Sequence, residues 1–273
     1  GPVTIASQSF PEAALMASMY ELLLADAGYD PTVKLVDARD AYMKDFPGAV
    51  DVVPEYVGGI VNFLNSRDGG DSAEPFVAGD GQELADQGSD LLDDAGITLL
   101  ELSEATDTNA FFVTQERAEE EGWTALSDLE GESLVLAAAP DCEGRLDCGA
   151  GLTEDYGIEL TKILPLGYAS DQTYQSVLDG ESDLGETSTT DGTLDSLGLV
   201  VLEDDQEIQP AQNLVPAVST EFLDEHPDLA DLLEPLMAAL TTEKLTELNG
   251  RITVDREKTE DVARDFLESE GLL

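Results

Sequence analysis

The chain has 273 residues, of which 60 are Asp or Glu and 12 are Lys or Arg, for a formal net charge of −48. That balance excludes an ordinary nucleic-acid or anionic-membrane binding face, because polyanions are repelled. A hydrophobic share of 42% excludes disorder, and the length suits two lobes of ordinary domain size. The acidity reads as a hydrated, salt-adapted surface rather than as recognition of a cationic macromolecule, although a cationic small ligand gains from the field. No apolar run reaches the roughly 18 residues that would span a membrane. The start in a strand at Gly1-Pro2-Val3 is expected of a mature form, its export sequence removed, with or without a lipid anchor.

Residues 3–6 read as an apolar strand and 7–9 as a polar turn. Ser9, Pro11 and Glu12 make a capping-box signature, so a helix is predicted over 11–27, with Ala14, Leu15, Met19, Leu22 and Leu23 facing inward. It stops at Gly28. Residues 32–36 alternate as a second strand, 37–46 form a loop with a helical turn, and 49–53 form a third strand. Pro54 has no N–H for a ladder, so that strand is expected to end there. Glu55 and Tyr56 then stand in the turn, and Gly58 and Gly59 let the backbone come close to a ligand before a helix continues. Ligands of α/β sheets bind beyond the carboxyl ends of strands, beside helix N-termini. Tyr56 is placed at that edge, the alternative being a half-buried turn tyrosine. A loop over 68–81, a helix over 82–94 and a strand over 97–100 complete a βαβ rhythm that predicts a parallel sheet covered by helices.

From Thr106 the pattern changes, and DTNAFFVT reads as a crossing into a second set of elements. These are an acidic helix over 116–121, a short segment capped by Ser127, and strands over 133–137, 163–165 and 199–202. Helices are predicted near 152–156 and over 171–178, and residues 182–186 lead into a polar turn over 187–191. Cys142 and Cys148, six apart in DCEGRLDCG, read most simply as a disulfide of an exported protein, two free thiols being the alternative. A metal site would need more ligands than this segment and the single His226 provide. Residues 209–218 read as the return crossing, followed by helices from Thr220, Pro227, Thr242 and Lys258. One lobe inserted in another through two crossings is the geometry of a hinged binding protein. The acidic runs at 119–121 and 203–205 read as solvated faces.

No nucleophile elbow, Walker loop or G-x-G-x-x-G follows a strand, and one histidine removes most triads and zinc catalysis. Carboxylates are too abundant for any pair to be informative. The chain is therefore read as a non-enzyme without cofactor, with an acidic hydrolase and a purely structural surface protein as the other classes. Polar and aromatic residues at strand ends suit a cleft that holds a small molecule: Gln8 and Phe10, Tyr56, Asn109 with Phe111 and Phe112, Asp141 and Arg145, and Ser188 to Thr190.

Five segments carry a resemblance. They are IASQSFPEAALMASMYELLLADAG, DVVPEYVGGIVNFL, DTNAFFVT, GESDLGETSTTDG with GLVVLEDD, and LTTEKLTELNGRITVDREKTEDVARDFLESEGLL. In this order, over nearly the whole chain, they resemble the substrate-binding proteins of osmoprotectant ABC transporters for glycine betaine, choline and carnitine. The resemblance implies a two-lobed α/β periplasmic-binding-protein fold of type II, with two crossings and a ligand cleft at the interface. Lobe 1 is expected over 1–107 plus 212–273 and lobe 2 over 108–211. It also implies an extracytoplasmic, monomeric protein, lipid-anchored or free, that serves a permease with its ATPase.

The family holds a trimethylammonium group in a cage of tyrosines by cation–π attraction. Tyr56 keeps the tyrosine of the family's P-E-Y-T-G-T turn, but the threonines become Val57 and Gly59. Ser188 takes the tyrosine position of A-Y-S-T-D-G, followed by Thr189, and Gln212 replaces the aromatic of P-P-Y-N. Gln8 stands where some members have lysine. Arg145 resembles the family's second-lobe arginine and would clamp a ligand carboxylate, or else pairs with Asp141 or Asp147. Phe10, Phe112 and Tyr168 would rebuild part of the cage, with Asn109 and Asp141 beside it. Each lost cation–π contact is worth about 0.5–2 kcal/mol, which points alternatively to a more polar solute.

Overall fold

The computed structural model describes residues 1–273, the side chain of residue 71 excepted. The chain opens with β1 (Pro2–Gln8), α1 (Pro11–Asp26), β2 (Asp30–Val36), α2 (Arg39–Tyr42), β3 (Val52–Tyr56) and α3 (Val57–Gly69). It continues through α4 (Gly81–Gln87), α5 (Ser89–Ala95) and β4 (Ile97–Leu99). A second unit holds β5 (Asn109–Thr114), α6 (Gln115–Glu121), β6 (Ser133–Ala138), α7 (Gly149–Glu154), β7 (Glu159–Pro165), α8 (Asp171–Leu178), β8 (Leu184–Ser188) and β9 (Leu199–Leu202). The return is made by β10 (Leu214–Ser219), α9 (Thr220–Glu225), α10 (Asp228–Ala239), α11 (Thr242–Thr253) and α12 (Thr259–Ser269). The chain thereby divides into residues 1–106 with 211–273, and residues 107–210.

The first unit carries one sheet of order β2-β1-β3-β10-β4. Side chains alternate across it with the strand period of two. Ile5, Val52, Leu214 and Val218 pack under α1, α10, α11 and α12. Ala6, Val53, Val215 and Ala217 pack under α2, α3, α4 and α5. The second unit repeats the pattern with a sheet of order β7-β6-β8-β5-β9. One of its faces packs Phe111, Leu136 and Leu184 against Trp123, Leu152 and Tyr156. The other packs Phe112 and Leu199 against Tyr174 and Val177 of α8.

Several sequence expectations change here. Pro54 does not end its strand. It lies inside β3 opposite Pro216 of β10, at a rung of the antiparallel ladder where neither residue need donate to the other. Residues 209–218 are not only a crossing, since β10 runs antiparallel to both β3 and β4 and makes the sheet mixed. The expected helix over 82–94 is broken at Gly88, where a Cβ would stand 2.4 Å from Cγ1 of Val61; the glycine lets this segment pack closely on α3. The loop expected from residue 68 begins later, because α3 runs to Gly69. Ser127 lies inside a short 3-10 turn rather than capping it. The acidic run at 203–205 is partly structural: Asp204 accepts from the Tyr156 hydroxyl and the N–H groups of Ile208 and Gln209.

Candidate functional site

The first unit assembles its part around the end of β3. Tyr56 is the last residue of that strand and directly precedes α3, with extended backbone at φ −116° and ψ 129°. Its ring lies against Phe10, with centroids 6.3 Å apart and planes at 22°. Tyr56 is 8% exposed and Phe10 38%, so Phe10 is the more open ring. The Tyr56 hydroxyl hydrogen-bonds the buried Glu12 carboxylate, whose other oxygen accepts from Asn249 Nδ2 at 2.9 Å. Glu12 is therefore not the capping partner that its spacing from Ser9 predicts. The helix is capped at Phe10 without a side-chain hydrogen bond, and Ser9 reaches Asp37 instead.

The neighbouring Glu55 is buried and saturated. Arg39 forks onto it, Nε to Oε1 at 2.7 Å and Nη2 to Oε2 at 3.0 Å, and the Tyr42 hydroxyl and the Tyr56 N–H donate to it as well. Gly58 and Gly59 start α3 under close neighbours. A Cβ on Gly58 would meet the Ala211 carbonyl at 2.3 Å, and one on Gly59 would meet Arg39 Nη2 at 2.3 Å. The Gly59 N–H donates to Gln212 Oε1 at 2.9 Å. Phe10, Tyr56, Gly59 and Gln212 are thus brought together, while Gln8 sits half-buried at the end of β1, paired in register with Val36.

The second unit gathers its residues at the matching strand end. Asn109 of β5 faces Ser188 of β8 in register, and the Thr108 N–H donates to Thr189 Oγ1. Tyr168 is 48% exposed, with its phenol within hydrogen-bonding reach of Ser188 and pushed above its ordinary pKa by desolvation and then by Asp107. Arg145 forks onto Asp147, from Nε at 2.9 Å and Nη2 at 3.0 Å, and Nη1 reaches Asp141 at 3.3 Å. The loop pairing is the one that this structure holds. Asp141 stays largely in solvent. Phe112 is not part of a cage wall: it is fully buried against Tyr174 and Gly185, in the core.

Glu186 escaped the sequence reading. It is fully buried on β8, and Oε2 accepts from the Ala139 N–H at 2.7 Å. Among the described residues no hydrogen bond reaches its Oε1, nor the buried Oδ1 of Asn109; Arg145 Nη2 lies 3.8 Å from Glu186. Burial holds this carboxyl above its ordinary pKa, an effect eased by Ala139 and Arg145. Cys142 and Cys148 form the expected disulfide, with Cα atoms 5.2 Å apart. Of the functional residues missed, Glu12 was hidden by its capping spacing and Arg39 by a segment that reads as loop. Glu186 was hidden by a surplus of carboxylates.

Two mixed-sheet α/β units on one strand order, each presenting polar and aromatic side chains where the central strand of its sheet ends, define the class of type II periplasmic binding proteins. The family model for the substrate binding domain of ABC-type glycine betaine transport systems, OpuAC, matches residues 1–269. The chain belongs to that family. It is 28% identical to a glycine-betaine-binding protein of Pseudomonas aeruginosa, a match that covers 98% of this chain and 88% of the relative. It is 29% identical to the glycine betaine-binding protein YehZ of Escherichia coli, over 99% and 91% of the two chains. The solved apo form of YehZ superposes with a TM-score of 0.82 at 24% identity and covers both chains in full. No helix among the described residues is long and apolar enough to cross a membrane.

Proposed function

We propose that this protein captures a small trimethylammonium zwitterion of the glycine betaine class outside the cytoplasm and hands it, as a monomer, to an ABC permease driven by its ATPase. The observation that carries this reading is Tyr56. Its ring lies beside the open Phe10, and its hydroxyl is tied to the buried Glu12. A phenol that donates to a carboxylate has a more electron-rich face, and a quaternary ammonium is held on such a face without a formal ion pair. The strongly negative surface adds long-range attraction for the cationic end. Membership of this family, with relatives that bind glycine betaine by name, supports trying that solute first.

Titration calorimetry with glycine betaine, choline and carnitine tests this. One-site binding of at least one solute is expected, and Tyr56→Ala should abolish it. A panel that neither gives heat nor moves Tm overturns the reading, as does binding that survives Tyr56→Ala unchanged.

A further inference from the structure

Arg39 and Gln212 meet at the two glycines that open α3, directly after Tyr56. Gly59 is half-buried rather than sealed, and its missing side chain is replaced in space by the Arg39 guanidinium. Nη2 and Nη1 lie 2.3 and 3.2 Å from where a Cβ would stand. The fork onto Glu55 commits Nε and Nη2, while Nη1 takes no part in it. Gln212 is fixed through Oε1 by the Gly59 N–H, which leaves its Nε2 as the donor side of the amide. The Arg39 side chain keeps 23% of its exposure, and Gln212 is half-buried. Two nitrogen donors therefore flank Gly58–Gly59, at the positive end of a 13-residue helix. Tyr56 directly precedes these glycines as the residue capping α3, with Phe10 against its ring and its hydroxyl on Glu12.

We infer that Arg39 and Gln212 are the carboxylate-recognising pair of this protein and make it selective for zwitterionic over purely cationic quaternary ammonium solutes. The inference rests on the proposed function and refines its substrate class. The ammonium end meets Tyr56 and Phe10, and the carboxylate accepts from Arg39 Nη1 and Gln212 Nε2. Arg145 is less suited to that task, because Asp147 takes its Nε and Nη2 and Asp141 its Nη1, whereas Nη1 of Arg39 lies outside the fork onto Glu55.

The experiment compares glycine betaine with choline, which has the same ammonium head and no carboxylate, on the parent protein, Gln212→Leu and Arg39→Lys. Lysine keeps a cation beside Glu55, and Gln212→Leu leaves the ion pair untouched, so one folded variant suffices. The parent should prefer betaine by about tenfold or more, the size of one charge-assisted hydrogen bond. Each variant should lose about that factor for betaine while choline binding changes less than about twofold. Equal losses for both solutes or an unchanged ratio overturns the inference while leaving the functional reading intact, whereas a parent that prefers choline overturns the inference and the zwitterionic class in that reading. A parent that binds neither solute overturns the inference, and one that also fails to bind carnitine overturns the functional reading as well.

Discussion

The two units share a sheet order and differ in how the end of the central strand is finished. In the first unit β3 ends at Tyr56, opposite Leu214 of β10; in the second, β8 ends at Ser188, opposite Asn109 of β5. Each strand also buries a carboxylate near that end, Glu55 in one and Glu186 in the other. Glu55 is forked by Arg39 and receives two further hydrogen bonds, whereas Glu186 has one oxygen hydrogen-bonded and the other only within 3.8 Å of the Arg145 guanidinium. One topology places the two strand ends alike. What each end can do depends on a single cation and whether acidic neighbours have already claimed it: Arg39 serves the buried carboxylate, and Arg145 serves its own loop.

The sharpest way to break this comparison is to remove each arginine. Arg39→Ala should cost about 3–5 kcal/mol in denaturant unfolding, because it strands the buried Glu55. Arg145→Ala should cost less than about 1 kcal/mol, since its main partners are solvent-accessible. Similar losses for both would show that the two ends are held alike. The second unit depends more on its staple. Replacing Cys142 and Cys148 by Ser should destabilise it by about 2 kcal/mol, as expected for a short closed loop, and leave amide-exchange protection of the first unit unchanged.

Phe10 sharpens the comparison from the binding side. Phe10→Ala should weaken glycine betaine binding by about 0.5–2 kcal/mol in calorimetry with little change in Tm, because the ring is already exposed. The smallest effect is expected at Glu186. Its folded pKa lies above the unfolded value, so the native state binds more protons between the two, and stability falls as pH rises through that window. Glu186→Gln should raise Tm at pH 7 by about 2 °C and lose that advantage as pH falls below the ordinary carboxylate range. A gain that persists in acid would mean that its source is packing rather than charge.

Much of the organisation was legible in order along the chain. Strand 199–202 and helix 171–178 come out as read, because apolar spacing and caps are local. The disulfide was legible because two cysteines six apart leave few other readings. The family resemblance was carried by whole segments rather than by single residues. The candidate site was legible at Tyr56, where a strand, a proline and two glycines punctuate the sequence. It was not legible at Glu12, Arg39 or Glu186. A carboxylate among 60 has no local mark of burial, and partners such as Asn249, 237 positions from Glu12, meet it only in the folded state. Phe112 misled for the opposite reason, since an aromatic at a strand end has no local mark telling core from cage.

By itself the sequence determined the α/β class, the acidic composition and the passage from strand to helix beside Tyr56. All of these follow from composition, short-range periodicity and residue stereochemistry. Only the tertiary structure decided that Pro54 lies inside a strand, that Glu12 tethers Tyr56, and that Arg39 fills the space above Gly59. It also decided that Arg145 is held by its own loop. Those outcomes depend on which distant groups compete for the same donor or the same volume, and that competition is settled only when the chain has packed.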